Sequence, residues 1–116
     1  MSSPTRILLV EDEPLIAMML EDFVDLLGKQ VAGSADCVSA ALQLVETADI
    51  DAAILDVNLR GGEKSWPVAD ALAERGVPFL IATGGSNDTV EPAHKSRPVL
   101  QKPFTMDGVS KALDAL

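Results

Sequence analysis

Short apolar runs alternate along this chain with longer stretches in which apolar residues return every three or four positions. The runs are Ile7-Leu8-Leu9-Val10, Ala52-Ala53-Ile54-Leu55, Phe79-Leu80-Ile81-Ala82 and Val99-Leu100. Their length suits strands, and their near-continuous apolarity suits strands covered on both faces. The alternation predicts βαβ units: an α/β fold with five parallel strands in a doubly wound sheet and five helices. Arg6 to Val10 feeds a helix opened by Pro14, with Leu15, Met18, Met19, Phe23, Leu26 and Leu27 as its apolar stripe and Gly28 as its stop. Gln30 to Ser34 reads as a weaker second strand. A second helix follows, striped by Val38, Ala41, Leu42 and Val45 and capped by Asp36 or Ser39. Asp51 to Leu55 is the third strand. The loop Asn58-Leu59-Arg60-Gly61-Gly62 then leads to a helix from Lys64 to Arg75, ended by Gly76 and Pro78. Phe79 to Thr83 and Val99 to Gln101 complete the strands, and Val109, Ala112, Leu113 and Leu116 stripe the last helix. Gly84 to Pro98 holds two glycines and two prolines, which predicts a short, mobile fourth helix near Asn87 to Lys95.

Composition narrows the class. A chain of 116 residues has room for one domain, 1–116, with a core that needs no metal or disulfide staple. Eighteen acidic against nine basic residues give a net charge of -9, which argues against nucleic acid as a partner, since that binding rests on Lys and Arg neutralising phosphates. Cys37 stands alone, so no internal disulfide forms, and no Cys/His spacing suits zinc. The first apolar run is too short for a signal segment or a spanning helix. These features together predict a soluble, uncleaved protein of the reducing cytoplasm, with no membrane partner.

The polar residues that end the apolar runs carry the chemistry: Glu11 and Asp12, Asp56, Thr83 and Lys102. In a parallel sheet they meet at the carboxyl edge, where open α/β folds bind ligands. Carboxylates at that edge suit Mg²⁺, which takes oxygen ligands in near-octahedral geometry and retains waters. Asp12 and Asp56 are the direct ligands in this reading, a backbone carbonyl near Asn58 a third, and Glu11 acts through water. A carboxylate can then attack a phosphoryl group, with Lys102 and Thr83 as donors to its oxygens. Gly84 leaves space beside the phosphoryl group. A cis bond to Pro103 is one way to aim the Lys102 ammonium inward.

Four motifs, Leu8-Leu9-Val10-Glu11-Asp12-Glu13, Leu55-Asp56-Val57-Asn58-Leu59, Ala82-Thr83-Gly84 and Lys102-Pro103-Phe104, resemble those of the receiver domain of two-component response regulators. The resemblance spans the whole chain. It implies a CheY-like, flavodoxin-like (βα)5 fold, phosphorylated at Asp56 by a histidine kinase or histidine phosphotransfer protein and read by a downstream protein partner. It also implies Asp12 as magnesium ligand assisted by Glu11, Asn58 through its carbonyl, Thr83 as switch hydroxyl and Lys102 as phosphoryl partner. Receivers usually carry Tyr or Phe three residues before the lysine, and Val99 stands there instead. Ile81-Ala82-Thr83-Gly84-Gly85 is similar to the Phe-Ala-Thr-Gly-Gly-Tyr signature of an atypical subclass that lacks the aromatic switch.

Other residues receive structural roles. His94 reads as a solvated imidazole, Trp66 as the anchor of the third helix, Cys37 as a buried small residue and the methionines as core filler. Two other functions compete. A haloacid-dehalogenase-like phosphatase also forms an aspartyl phosphate, but Asn58 stands where its second acid would be. A receiver-like adaptor that is never phosphorylated would not need Asp12, Asp56, Thr83 and Lys102 together.

Overall fold

The computed structural model describes residues 5–83, 97–101 and 104–116. Its elements are β1 (Arg6–Val10), α1 (Pro14–Leu26), β2 (Gln30–Ala35), α2 (Val38–Thr47), β3 (Ala52–Asp56), a 3-10 turn (Arg60–Gly62), α3 (Trp66–Glu74), β4 (Phe79–Thr83), β5 (Val99–Gln101) and α4 (Met106–Asp114). The strands form one parallel sheet in the order β2-β1-β3-β4-β5. This is the flavodoxin-like, doubly wound order, and its direction reverses between β1 and β3. The expected fourth helix at Asn87 to Lys95, with His94, lies outside the described residues.

Strand alternation divides the core into two layers. Leu8 and Val10 of β1, Leu55 of β3 and Ile81 of β4 pack beneath α2 and α3, against Ala41, Val45, Val68 and Leu72. Ile7, Leu9, Ile54 and Leu80 point to the opposite face, toward Leu20 and Val24 of α1 and Val109 and Leu113 of α4. Every residue of β3 and β4 is buried, as central strands covered by helices on both faces require. That rigid centre holds the carboxyl ends of β1, β3 and β4 side by side.

Local departures from the sequence reading have physical causes. In α1, Leu15, Met18 and Leu26 are 78%, 55% and 68% exposed, while Leu20 and Val24 are buried and Ile16, Met19, Phe23 and Leu27 pack partly beside them. The helix carries two adjacent apolar stripes, and periodicity alone does not select the one facing the sheet. Met18 is therefore not core filler, and neither is Met106, 36% exposed at the start of α4. Cys37, half-buried rather than buried, is the N-cap of α2 and makes no side-chain cap bond. Asp36 and Ser39 are not the cap. The Val38 N–H donates instead to Glu63 Oε1 at 3.1 Å, across 25 residues of sequence. α3 begins at Trp66 rather than Lys64, because Lys64 is engaged in a bridge with Asn58. Trp66 does pack against the core beneath α3. In α4 Thr105 is a conventional cap, its side chain accepting from the Gly108 N–H at 3.0 Å.

Candidate functional site

Three carboxylates converge where the sheet reverses direction. Val10 and Leu55 are register partners, so Glu11 and Asp56 leave β1 and β3 at the same level, and Asp12 follows one residue on. One carboxylate oxygen from each of Glu11, Asp12 and Asp56 lies within 4.8 Å of the others. Glu11 and Asp56 are buried, 3% and 5% exposed, and Asp12 is half-buried.

The backbone fixes this cluster before any ligand enters. Glu11 N–H donates to the Ala35 carbonyl of β2 at 3.0 Å, and its Oε2 accepts from the Glu13 N–H at 3.2 Å, where the chain turns into α1. Val57 N–H donates to the Ala82 carbonyl of β4 at 3.2 Å, which pins the residue after Asp56 to the neighbouring strand. Asp56 itself pairs with Ala82, so the buried Thr83 stands one residue further toward the same edge. Crowded like charges repel in a partly desolvated site, and a hard divalent cation with oxygen ligands relieves that repulsion. The donor set fits such an ion.

Beyond β3 the chain forms a small hairpin rather than an open loop. Leu59 N–H donates to Glu63 O at 2.7 Å and Ser65 N–H to Val57 O at 3.0 Å, with Asn58 bridging Lys64 between them. Gly61 and Gly62 turn the chain at φ +73° and +80°, values that a side chain at either position would strain. Lys64 Nζ donates to the Asn58 side-chain oxygen. Sequence reading placed Lys64 in a helix and missed this contact. The available signal was the Gly-Gly pair between Leu59 and Glu63, a hairpin-turn composition.

The structure thus brings together Glu11, Asp12 and Asp56, with Thr83 one residue beyond the register partner of Asp56 on β4 and Asn58 two residues after Asp56 along the chain. Lys102, Pro103 and Gly84 lie outside the described residues. Val99 is 49% exposed on β5, paired with Ile81. A shallow cavity of about 350 Å³ adjoins the cluster, lined by Glu11, Asp12, Pro14, Ser34 and Asp36 among others. No helix among the described residues is long and apolar enough to cross a membrane.

Comparison with known proteins agrees with this geometry. The chain is 67% identical to SdrG from Sphingomonas melonis Fr1 over 99% of its own length and 98% of that chain, and the solution structure superposes with a TM-score of 0.89. It is equally similar to a second solution structure of SdrG, described as the BeF3-activated conformation, from Pseudomonas melonis Fr1, with a TM-score of 0.83 at the same coverage. It is 34% identical to the phyllosphere-induced regulator PhyR of Methylorubrum extorquens, over 94% of this chain and 42% of that protein. The chain spans about half the length of the curated relatives it matches. The model of the response regulator receiver domain matches residues 7–114. On fold, acidic cluster and sequence match together, the chain belongs to the response regulator receiver domains, the signalling domains of two-component systems.

Proposed function

We propose that this chain is a phosphoacceptor that takes a phosphoryl group on Asp56 from a histidine kinase or histidine phosphotransfer protein and then alters its binding to a downstream protein. One observation carries the reading: carboxylate oxygens of Glu11, Asp12 and Asp56 lie within 4.8 Å of one another at the reversal point of the sheet. Asp12, Asp56 and the Asn58 main-chain carbonyl would hold Mg²⁺, with Glu11 acting through water. Such an ion, when bound, offsets negative charge on the carboxylate and on the incoming phosphoryl oxygens.

In the transfer, an Asp56 carboxylate oxygen attacks phosphorus in line. The P–O bond to Asp56 forms as the P–N bond of the donor phosphohistidine breaks, and the imidazole leaves with the electron pair. Thr83 supplies a hydroxyl donor to the equatorial oxygens, and Lys102 an ammonium. Gly84 leaves their approach open. Burial of Asp56 and Thr83 keeps water from competing for these contacts. A cytoplasmic location fits the expected phosphodonors. The described BeF3-activated state of SdrG supports an equivalent adduct here.

The test is addition of beryllofluoride and Mg²⁺, followed by backbone NMR. Wild-type protein is expected to shift around Glu11, Asp12, Asp56 and Thr83, and Asp56→Asn is expected not to. Identical spectra with and without the adduct components would refute the reading.

A further inference from the structure

Helices α2 and α3 lie side by side on one face of the sheet. Each joins parallel strands, α2 from β2 to β3 and α3 from β3 to β4, so each returns from the carboxyl edge to the amino edge. Their last turns therefore lie at the edge opposite Asp56. Between them runs an open groove of about 700 Å³, lined by Leu42, Val45 and Glu46 of α2 and by Ala71, Glu74 and Arg75 of α3 and its cap, among others. Val68, Ala69 and Leu72 turn α3 toward the sheet and are fully buried. Ala71 then falls on the side of α3 that faces the groove, and its methyl group leaves the space beside Leu42 unfilled. Leu42 and Ala71 are half-buried and rest on the core, an apolar floor that solvent still reaches.

The charges at the end of this groove are unbalanced. Glu46 lies one turn after Leu42, and Glu74 one turn after Ala71, so each wall carries an exposed carboxylate beyond its apolar residue. Neither carboxylate, nor the Arg75 guanidinium, is in an ion pair or side-chain hydrogen bond among the described residues. Both helices lack a basic residue in the last turn, so the negative ends of two helix dipoles coincide with the two carboxylates. Arg75 offsets only one of these charges.

We propose that this groove docks an amphipathic helix of a partner protein, with apolar residues along one face and Lys or Arg in its first turn. Apolar side chains three and four positions apart fill the space over Leu42 and Ala71, and the basic turn sits between Glu46 and Glu74. The partner helix runs antiparallel to α2 and α3, its positive dipole end against their negative ends. The net charge of -9 steers a basic partner toward the surface. The groove and the acidic cluster share no residue, so docking does not depend on Asp56.

The probe is a synthetic helical peptide of about 16 residues, with leucines at helical spacing and lysines in its first turn, titrated into the protein and followed by backbone NMR. Saturable shifts are expected at Leu42, Glu46, Ala71 and Glu74. A spin label on the peptide N-terminus should broaden Glu46 and Glu74, and one on its C-terminus Ser39, which lines the groove near the start of α2. Glu46→Lys combined with Glu74→Lys should weaken binding about tenfold, the scale of reversing two exposed ion pairs, and should favour a peptide carrying glutamates in place of the lysines. Ala71→Leu should fill the floor and abolish saturable binding. Lys and Leu are good helix formers, and a melting temperature no lower than that of wild type confirms that the variants fold. An absence of saturable shifts in wild type, shifts centred on Leu15, Met18 and Leu26 of α1, or undiminished binding by either variant would overturn the docking site. Broadening in the reverse order would overturn the antiparallel orientation. Shifts at Leu42 and Ala71 that grow with protein concentration alone would place a second copy of the chain in the groove and overturn the partner.

Discussion

Ser65 offers a sharp test because its position and its contacts point in opposite directions. It occupies the N-cap of α3, where replacing Ser by Ala ordinarily costs about 0.5–2 kcal/mol. Here the side chain makes no cap bond, the residue is 0% exposed, and its Oγ has no hydrogen-bond partner among the described residues. A buried hydroxyl left unpaired costs about 1–3 kcal/mol. Ser65→Ala removes that penalty and leaves a void of roughly 10 Å³, worth about 0.2 kcal/mol at the usual cost per cavity volume. The backbone bonds are untouched: Ser65 N–H still donates to Val57 O, and Ser65 O still accepts from Val68 and Ala69. The net expectation is stabilisation by about 1 kcal/mol or more, raising Tm by about 4 °C. Urea denaturation with a shared m-value measures it. Destabilisation by about 1 kcal/mol would show that the hydroxyl caps α3 after all, and would refute the reasoning.

Three further outcomes are expected elsewhere. Glu63→Ala removes the acceptor of the Val38 N–H, so amide exchange at the start of α2 should quicken and stability fall by about 0.5–1 kcal/mol; unchanged exchange there would contradict the tertiary cap. Leu20→Ala, at a buried position of α1, should cost about 2–5 kcal/mol in denaturant unfolding. Met18→Ala, on the exposed stripe of the same helix, should stay within about 0.5 kcal/mol, and equal losses would place the wrong face against the sheet.

The central strands and the acidic cluster were legible in the sequence for one reason. β1, β3 and β4 are buried on both faces, so each appears as an uninterrupted apolar run, and the polar residue that ends it marks the sheet edge. Glu11, Asp12, Asp56 and Thr83 could therefore be named without coordinates. The face of α1 was legible only in part: Met19, Phe23 and Leu27 do pack on the core, but Leu15, Met18 and Leu26 lie on the adjoining exposed face and are apolar too. The cap of α2 was not legible. Glu63 reaches Val38 only through the folded hairpin, whereas Asp36 and Ser39 had the local chemistry of a cap. The Asn58–Lys64 contact was hidden for the same reason: it depends on ladder register, and its sequence trace is only the Gly61-Gly62 turn.

The central claim is that Asp56, at the heart of the cluster, accepts the phosphoryl group. Intact-mass spectrometry after incubation with a small acyl phosphate donor and Mg²⁺ tests it most directly, with Asp56→Asn and a chelator-treated sample run in parallel. The expected result is a mass increase of one phosphoryl group on wild type, absent from Asp56→Asn and strongly reduced by the chelator. An unmodified wild type, or the same increase on Asp56→Asn, would contradict it.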